Sequence, residues 1–182
     1  MRPNWFIGLC IEPGTWFDSQ VGSPPPGVRR FHPVDLHITV AFLGAVGEAR
    51  ARSAWELASD WPDAPRAITL GDVIPMGPRQ RPSAYSATVR EGNTALCDAM
   101  TRLRGPMLAA ACTRPARYPP LPHITLARPK RRATDAQRAH ALTWASHIDV
   151  GDVPLPLTQI ALYTWSRHRA DHLFEVVVRH TW

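Results

Sequence analysis

Two short segments of this 182-residue chain carry the same pair of reactive side chains at the same spacing. One is His37-Ile38-Thr39, inside the run LHITVAFLG that begins at Leu36. The other is His123-Ile124-Thr125, inside PHITLARP, which begins at Pro122; the two histidines are 86 positions apart. Histidine is the one side chain whose unperturbed pKa lies between pH 5 and 8. Two imidazoles on one site can act as an acid and a base at neutral pH. Two hydroxyls beside them can donate hydrogen bonds to an anionic group whose charge must be stabilised.

The spacing decides what such a set can do. In a strand, alternate residues share a face. His37, Thr39 and Ala41 then point one way, and Ile38, Val40 and Phe42 the other; His123, Thr125 and Ala127 share a face opposite Ile124 and Leu126. If the two strands lie side by side, two imidazoles and two hydroxyls converge with apolar residues behind them. That set suits phosphodiester chemistry: one neutral imidazole takes a proton from the attacking oxygen, and one imidazolium gives a proton to the leaving oxygen. A single His-x-Thr is usually structural, but two copies with matching apolar flanks weaken that reading. A zinc site is the competing use of paired histidines. It needs a third ligand, and no Cys or carboxylate spacing supports one, so neither metal nor cofactor is expected.

The surrounding elements must bring the triplets together. Strand patterns cover Asn4–Glu12, Leu36–Leu43, Ala67–Ile74, Ala84–Arg90, Pro122–Arg128, Thr158–Trp165 and His172–His180. Helical spacing covers Glu48–Trp61, Asn93–Arg104 and a segment to about His147 that opens on the capping pattern Thr134-Asp135-Ala136-Gln137. Gly105-Pro106 is expected to break or kink the second helix, because proline lacks the N–H and crowds the preceding turn; a short helical continuation through Ala111 is left open. Pro13 to Pro33 reads as a Gly/Pro-rich loop. The order is α+β, with sequential strands antiparallel in part. Each triplet strand follows a Pro-containing loop and precedes a helix, which hints at two related lobes.

Composition bounds the rest. The length fits one domain with a real core. Three cysteines with no C-x-x-C spacing imply no disulfide framework, and a reducing cytoplasm fits. No apolar run approaches the ~20 residues of a membrane span. The net charge is +6, carried by 20 Arg and one Lys. It favours anionic partners, although an Arg-biased composition gives the same total. The clusters are Arg29-Arg30, Arg79 with Arg81, Arg114 with Arg117, and Lys130-Arg131-Arg132. The basic loops read either as tracks for an RNA backbone or as solvated surface.

The segments His37-Ile38-Thr39-Val40-Ala41-Phe42-Leu43-Gly44 and Pro122-His123-Ile124-Thr125-Leu126-Ala127-Arg128 resemble the paired motifs of the two-histidine (2H) phosphoesterase superfamily. Within it the chain is most similar to the RNA 2′,3′-cyclic phosphodiesterases, also called 2′-5′ RNA ligases. The resemblance implies one bilobal α+β domain over residues 1–182, with an antiparallel sheet in each lobe, outer helices and a central cleft. It implies His37 and His123 as the catalytic pair, His37 as acid at the leaving 3′ oxygen and His123 as base at the attacking water. Thr39 and Thr125 become phosphate ligands. The implied reaction is metal-independent opening of a nucleoside or RNA-terminal 2′,3′-cyclic phosphate to a 2′-phosphate, with reversible 2′-5′ ligation. The implied partners are RNA ends or small nucleotides, not membranes, and a cytoplasmic monomer is expected. Two rivals stay open: a relative acting on ADP-ribose 1″,2″-cyclic phosphate or a 2′-5′ oligonucleotide, and a non-catalytic RNA-end binding module.

Three further residues are ambiguous. The resemblance puts Arg128 near the phosphate, but strict alternation puts it opposite His123, so a bulge or a surface role must decide. Phe42 lies opposite Thr39 by the same alternation, leaving core packing ahead of base stacking. Tyr163 either reaches the cleft or is a core tyrosine with a satisfied hydroxyl.

Overall fold

The computed structural model describes residues 2–62, 65–78 and 81–182. In chain order the elements are β1 (Trp5–Cys10), α1 (Trp16–Val21), β2 (Val28–Arg30), a 3₁₀ turn (Pro33–Asp35), β3 (His37–Gly44) and α2 (Glu48–Trp55) with a 3₁₀ extension (Glu56–Asp60). There follow β4 (Ala67–Ile68), β5 (Leu70–Met76), β6 (Ala84–Val89), α3 (Asn93–Ala110), β7 (His123–Pro129), α4 (Asp135–Ser146), β8 (Leu155–Pro156), β9 (Gln159–Trp165) and β10 (Phe174–Thr181).

The architecture is α+β. Eight strands run in the order β10-β9-β1-β3-β7-β6-β5, with β2 added on β7. All ladders are antiparallel. The two triplet strands, β3 and β7, are neighbours at the centre, and they pair only at Ile38 with Ile124. That single pair joins two half-sheets, β10-β9-β1-β3 and β2-β7-β6-β5. The expected sheet per lobe is therefore present as two halves of one continuous sheet. On one side of the Ile38–Ile124 pair β2 fills the gap along β7. On the other side β3 and the chain before β7 diverge. β4 and β8 form a separate two-stranded ladder.

The helices cover one face. Ile7, Leu9, Ile38, Val40, Ile124 and Leu126 share a core with α2 (Ala51, Ala54) and α3 (Leu96, Met100, Leu103, Met107). Val28, Tyr85 and Ala127 pack on α4 through Ala141 and Ala145. Burying a side chain of this size is worth roughly 1.5–3 kcal/mol, so the apolar member of each triplet, Ile38 or Ile124, pins its strand to the core. The His and Thr face is left free. α4 starts on the capping box read from the sequence: Gln137 N–H donates to Thr134 Oγ1, and Thr134 N–H donates to Gln137 Oε1.

Two expectations fail. Residues 13–33 are not a plain loop, since they hold α1 and β2. Trp16, Phe17 and Val21 bury on the core, but six residues are too few for a periodic pattern, and the flanking glycines read as punctuation. The break expected at Gly105-Pro106 is absent: of the readings left open, the continuation holds, and α3 runs to Ala110. Pro106 sits on the exposed face, so the carbonyl it leaves unpaired can reach water, while Leu103, Met107 and Leu108 stay buried and hold the last turns.

Candidate active site

The 3₁₀ turn at Pro33–Asp35 and the Pro-rich segment 119–122 deliver the two triplets with the same local geometry. His37 Nδ1 lies 2.6 Å from the carbonyl oxygen of Asp35, and His123 Nδ1 lies 2.7 Å from that of Leu121. A carbonyl only accepts, so Nδ1 of each ring is the protonated nitrogen. Nε2 is then the atom available for proton transfer on both histidines. The burial patterns of β3 and β7 agree over six positions: His and Thr half-buried, the residues after each buried, and then an exposed Phe42 or Arg128.

That last position corrects the alternation argument. Gly8 of β1 pairs with Thr39, while its neighbour Ile7 pairs with Ala41. One step along β1 thus matches two along β3, which is a β-bulge. The bulge reverses the phase, so Ala41 joins Val40 in the core and Phe42 returns to the His37/Thr39 face. The same bulge recurs on β7, where Ser86 pairs with Thr125 and Tyr85 with Ala127. Arg128 thereby joins His123 and Thr125. Phe42 is 57% exposed, which rules out the core role expected for it.

The site face assembles around these groups. The Phe6 ring lies 4.5 Å from that of His37, and Phe174 meets His37 edge-on at 5.4 Å. Tyr163 stacks on Phe6 at 4.7 Å, lies 5.4 Å from His37, and donates its hydroxyl to Cys10 Sγ at 3.1 Å. It is a buried tyrosine with a satisfied hydroxyl that backs His37. Burial pushes both the Tyr163 hydroxyl and the Cys10 thiol above their ordinary pKa ranges. Burial also holds the His37 imidazole down to about 4, against a favourable contribution from the Asp35 carbonyl and with help from the charges of Arg128 and His123. Arg128, with its guanidinium 5.1 Å from the Phe31 ring centroid, lies within electrostatic reach of His37 and of Arg169. The four His and Thr residues and Arg128 are thus on one face.

Several residues of the site escaped the sequence argument. Asp35 is fully buried, and its carboxylate accepts from the N–H of Leu173 and of Phe174 at 2.8–3.0 Å. It ties β10, and with it Phe174, to the turn that aims His37. A lone Asp in the apolar run from Phe31 to Leu43 was the signal. Ser86, also buried, shares a 3.3 Å hydrogen bond with Thr125. Gly8 lies so close to β3 that a Cβ there would stand 2.9 Å from the Ile38 oxygen and 3.6 Å from the His37 ring.

The remaining basic residues spread out. Arg30 pairs with Asp18 at 2.5 Å and packs over Phe17. Arg81 stands 3.9 Å from Asp135, and Lys130, Arg131 and Arg132 are exposed; Arg79 lies outside the described residues. Among the described residues no group of three or more His, Cys, Asp and Glu could hold a metal ion, and no helix is long and apolar enough to cross a membrane.

No family model matches the sequence. The chain is 29% identical over 148 residues to the RNA 2′,3′-cyclic phosphodiesterase of Bacillus subtilis (strain 168), covering 77% of this chain and 78% of that protein. Its fold matches that of E. coli LigT complexed with 3′-AMP, with a TM-score of 0.66 at 21% identity over 100% of this chain and 98% of the other. It also matches TT0787 of Thermus thermophilus, with a TM-score of 0.70 at 20% identity over 98% and 97%.

Proposed function

We propose that this chain, similar in sequence to an RNA 2′,3′-cyclic phosphodiesterase and in fold to LigT and TT0787, is a two-histidine (2H) phosphoesterase that opens 2′,3′-cyclic phosphates at nucleosides or RNA ends to leave a 2′-phosphate. The observation that carries the reading is the matched pair of histidines, each with Nδ1 fixed by a backbone carbonyl two residues before it and each with a threonine on the same face.

The chemistry follows from those atoms. Water attacks phosphorus and the P–O3′ bond breaks. His123 Nε2 takes the proton of the attacking water, and His37 Nε2–H delivers a proton to O3′. Thr39, Thr125 and Arg128 hold the non-bridging oxygens, where negative charge grows. In the free protein His37 is neutral at pH 7. It takes up its acid proton together with the substrate, whose phosphate anion offsets the neighbouring Arg128. With a 5′ hydroxyl of RNA in place of water, the same two transfers join strands through a 2′-5′ linkage: His123 Nε2 takes the proton of the 5′ hydroxyl as its oxygen bonds phosphorus, and His37 gives a proton to O3′ as the P–O3′ bond breaks. No step requires a metal.

Purified protein in EDTA is offered 2′,3′-cyclic nucleotides and a cyclic-phosphate-ended RNA, beside His37→Ala and His123→Ala. Each substitution is expected to lower kcat by roughly 10²–10⁴-fold. Wild-type rates in both variants would refute the pair, and binding without turnover in the wild type would make the protein an RNA-end binding module.

A further inference from the structure

The site does not end at the phosphate. Where β3 and the chain before β7 diverge, a groove of about 410 Å³ opens from Thr39, Phe42 and His123, within the roughly 300–1,000 Å³ of small-ligand sites. It runs on, through shared walls, into a second hollow between the C-terminal half of α3 and the segment 113–120. Three arginines line it: Arg104, Arg114 and Arg117. Among the described residues no carboxylate lines either hollow, and none forms an ion pair with these three. Arg104 donates to the Tyr118 carbonyl at 2.7 Å and so fixes the loop on α3. The Tyr118 ring is 67% exposed, with the Arg117 guanidinium 5.3 Å from its centroid. Phe42 stands exposed at the near end.

Guanidinium groups without carboxylate partners, interleaved with solvent-facing aromatic rings, are what a single nucleic-acid strand requires. The cations follow the phosphates, and each base has a face that stacks on a ring. We propose that this groove is a subsite for the nucleotides on the 5′ side of the terminal cyclic phosphate, so that the protein prefers single-stranded RNA ends to free mononucleotides. The base next to the terminal nucleotide stacks on Tyr118, and Arg114 and Arg117 take its phosphates. The proposal rests on the reading of the His37/His123 site as the place where the terminal phosphate sits. The last two turns of α3, held by their buried face, line the hollow through Gly105, Leu108 and Ala109.

The test compares cyclic-phosphate-ended RNAs of one, two, three and five nucleotides, with Arg117→Ala and Tyr118→Ala beside the wild type. In the wild type kcat/KM is expected to rise about tenfold or more between one and three nucleotides and then level off. In each variant the trinucleotide-to-mononucleotide ratio falls toward one. The slope of log KM against log salt for the trinucleotide drops by about 0.7 in Arg117→Ala, the share of one phosphate on a single strand. A length-independent kcat/KM in the wild type overturns the subsite, and so does a ratio that neither variant changes. If no cyclic phosphate is turned over, the proposed reaction fails. The subsite is then judged on binding of 2′-phosphate-ended RNAs of the same lengths. A length-dependent Kd that the two variants abolish supports it, and a flat one overturns it.

Discussion

Burial of a neutral imidazole at the centre of the sheet has a measurable cost in acid. His37 titrates at about 4 in the folded protein and near 6.5 in an unfolded chain. Between those values the unfolded state binds more protons, so folding stability rises with pH across this window. The contribution is whole above about pH 6.5 and is lost as pH falls through the window. Each pH unit between the two midpoints is worth about 1.4 kcal/mol, so the full loss is about 3 kcal/mol, and about 2 kcal/mol of it is gone between pH 7.5 and 5. The chain carries seven other histidines and 15 Asp and Glu residues besides, so the useful quantity is a difference. His37→Gln keeps a neutral polar side chain and cannot charge. Urea unfolding of both proteins at pH 7.5, 6 and 5, followed by tryptophan fluorescence, gives the stability gap at each pH. The gap is expected to move by about 2 kcal/mol toward the variant as pH falls. An NMR titration of the His37 ring should show a midpoint near 4, moving upward when a 2′-nucleotide is bound. A gap that stays constant within about 0.5 kcal/mol, or a midpoint of 6 or above in the free protein, would refute the electrostatic account and with it the claim that His37 takes up its acid proton with the substrate.

The same geometry sets other outcomes. Asp35→Asn keeps one oxygen able to accept from both Leu173 and Phe174 N–H but removes its charge and puts an amide NH2 group where Oδ2 accepts from Leu173 at 2.8 Å; hydrogen bonds to a charged group are worth about 1.5–3 kcal/mol, so urea unfolding should show lost stability, and kcat should fall because the turn that aims His37 loosens. Gly8→Ala pushes a methyl group to within 2.9 Å of the Ile38 oxygen. Overpacking of this kind costs typically about 1–3 kcal/mol, and thermal melting together with the cyclic-nucleotide assay should show both lost stability and lost rate. Phe42→Ala removes an exposed ring, so stability should change by less than about 0.5 kcal/mol while KM for cyclic nucleotides rises. Under the proposed reaction Thr39→Val and Thr125→Val each delete a hydroxyl bonded to a charged oxygen, worth about 1.5–3 kcal/mol, and should lower kcat/KM by roughly 10- to 100-fold; Thr39→Val should change folding little, while Thr125→Val also leaves the buried Ser86 hydroxyl without its partner and should cost about 1–3 kcal/mol of stability.

What could be read from the sequence, and what could not, divides at the β-bulges. Period-two alternation puts His37 with Thr39, and His123 with Thr125, on faces opposite Ile38 and Ile124, and the structure agrees because both stretches are regular up to the threonine. The same rule puts Phe42 and Arg128 in the wrong place, since it assumes one residue per partner and the register skips at both strands. No local residue pattern marks those skips; they arise from pairing with β1 and β6, far away in the chain. Asp35 was hidden for a similar reason, because its partners lie more than 130 residues downstream. α1 was hidden because six residues cannot display a helical period. Yet the bulges are also what a comparison of the two motifs could have raised. A regular strand cannot place His, Thr and the residue three beyond Thr on one face, and a repeated motif with a cation in that position in one copy and a ring in the other points to a shared departure from regularity. The bulge puts two consecutive residues, Val40-Ala41 or Leu126-Ala127, into the core, and the next residue emerges on the reactive side. One device used twice therefore gives the face its unlike ends, a guanidinium at Arg128 and an exposed ring at Phe42 where the basic groove begins.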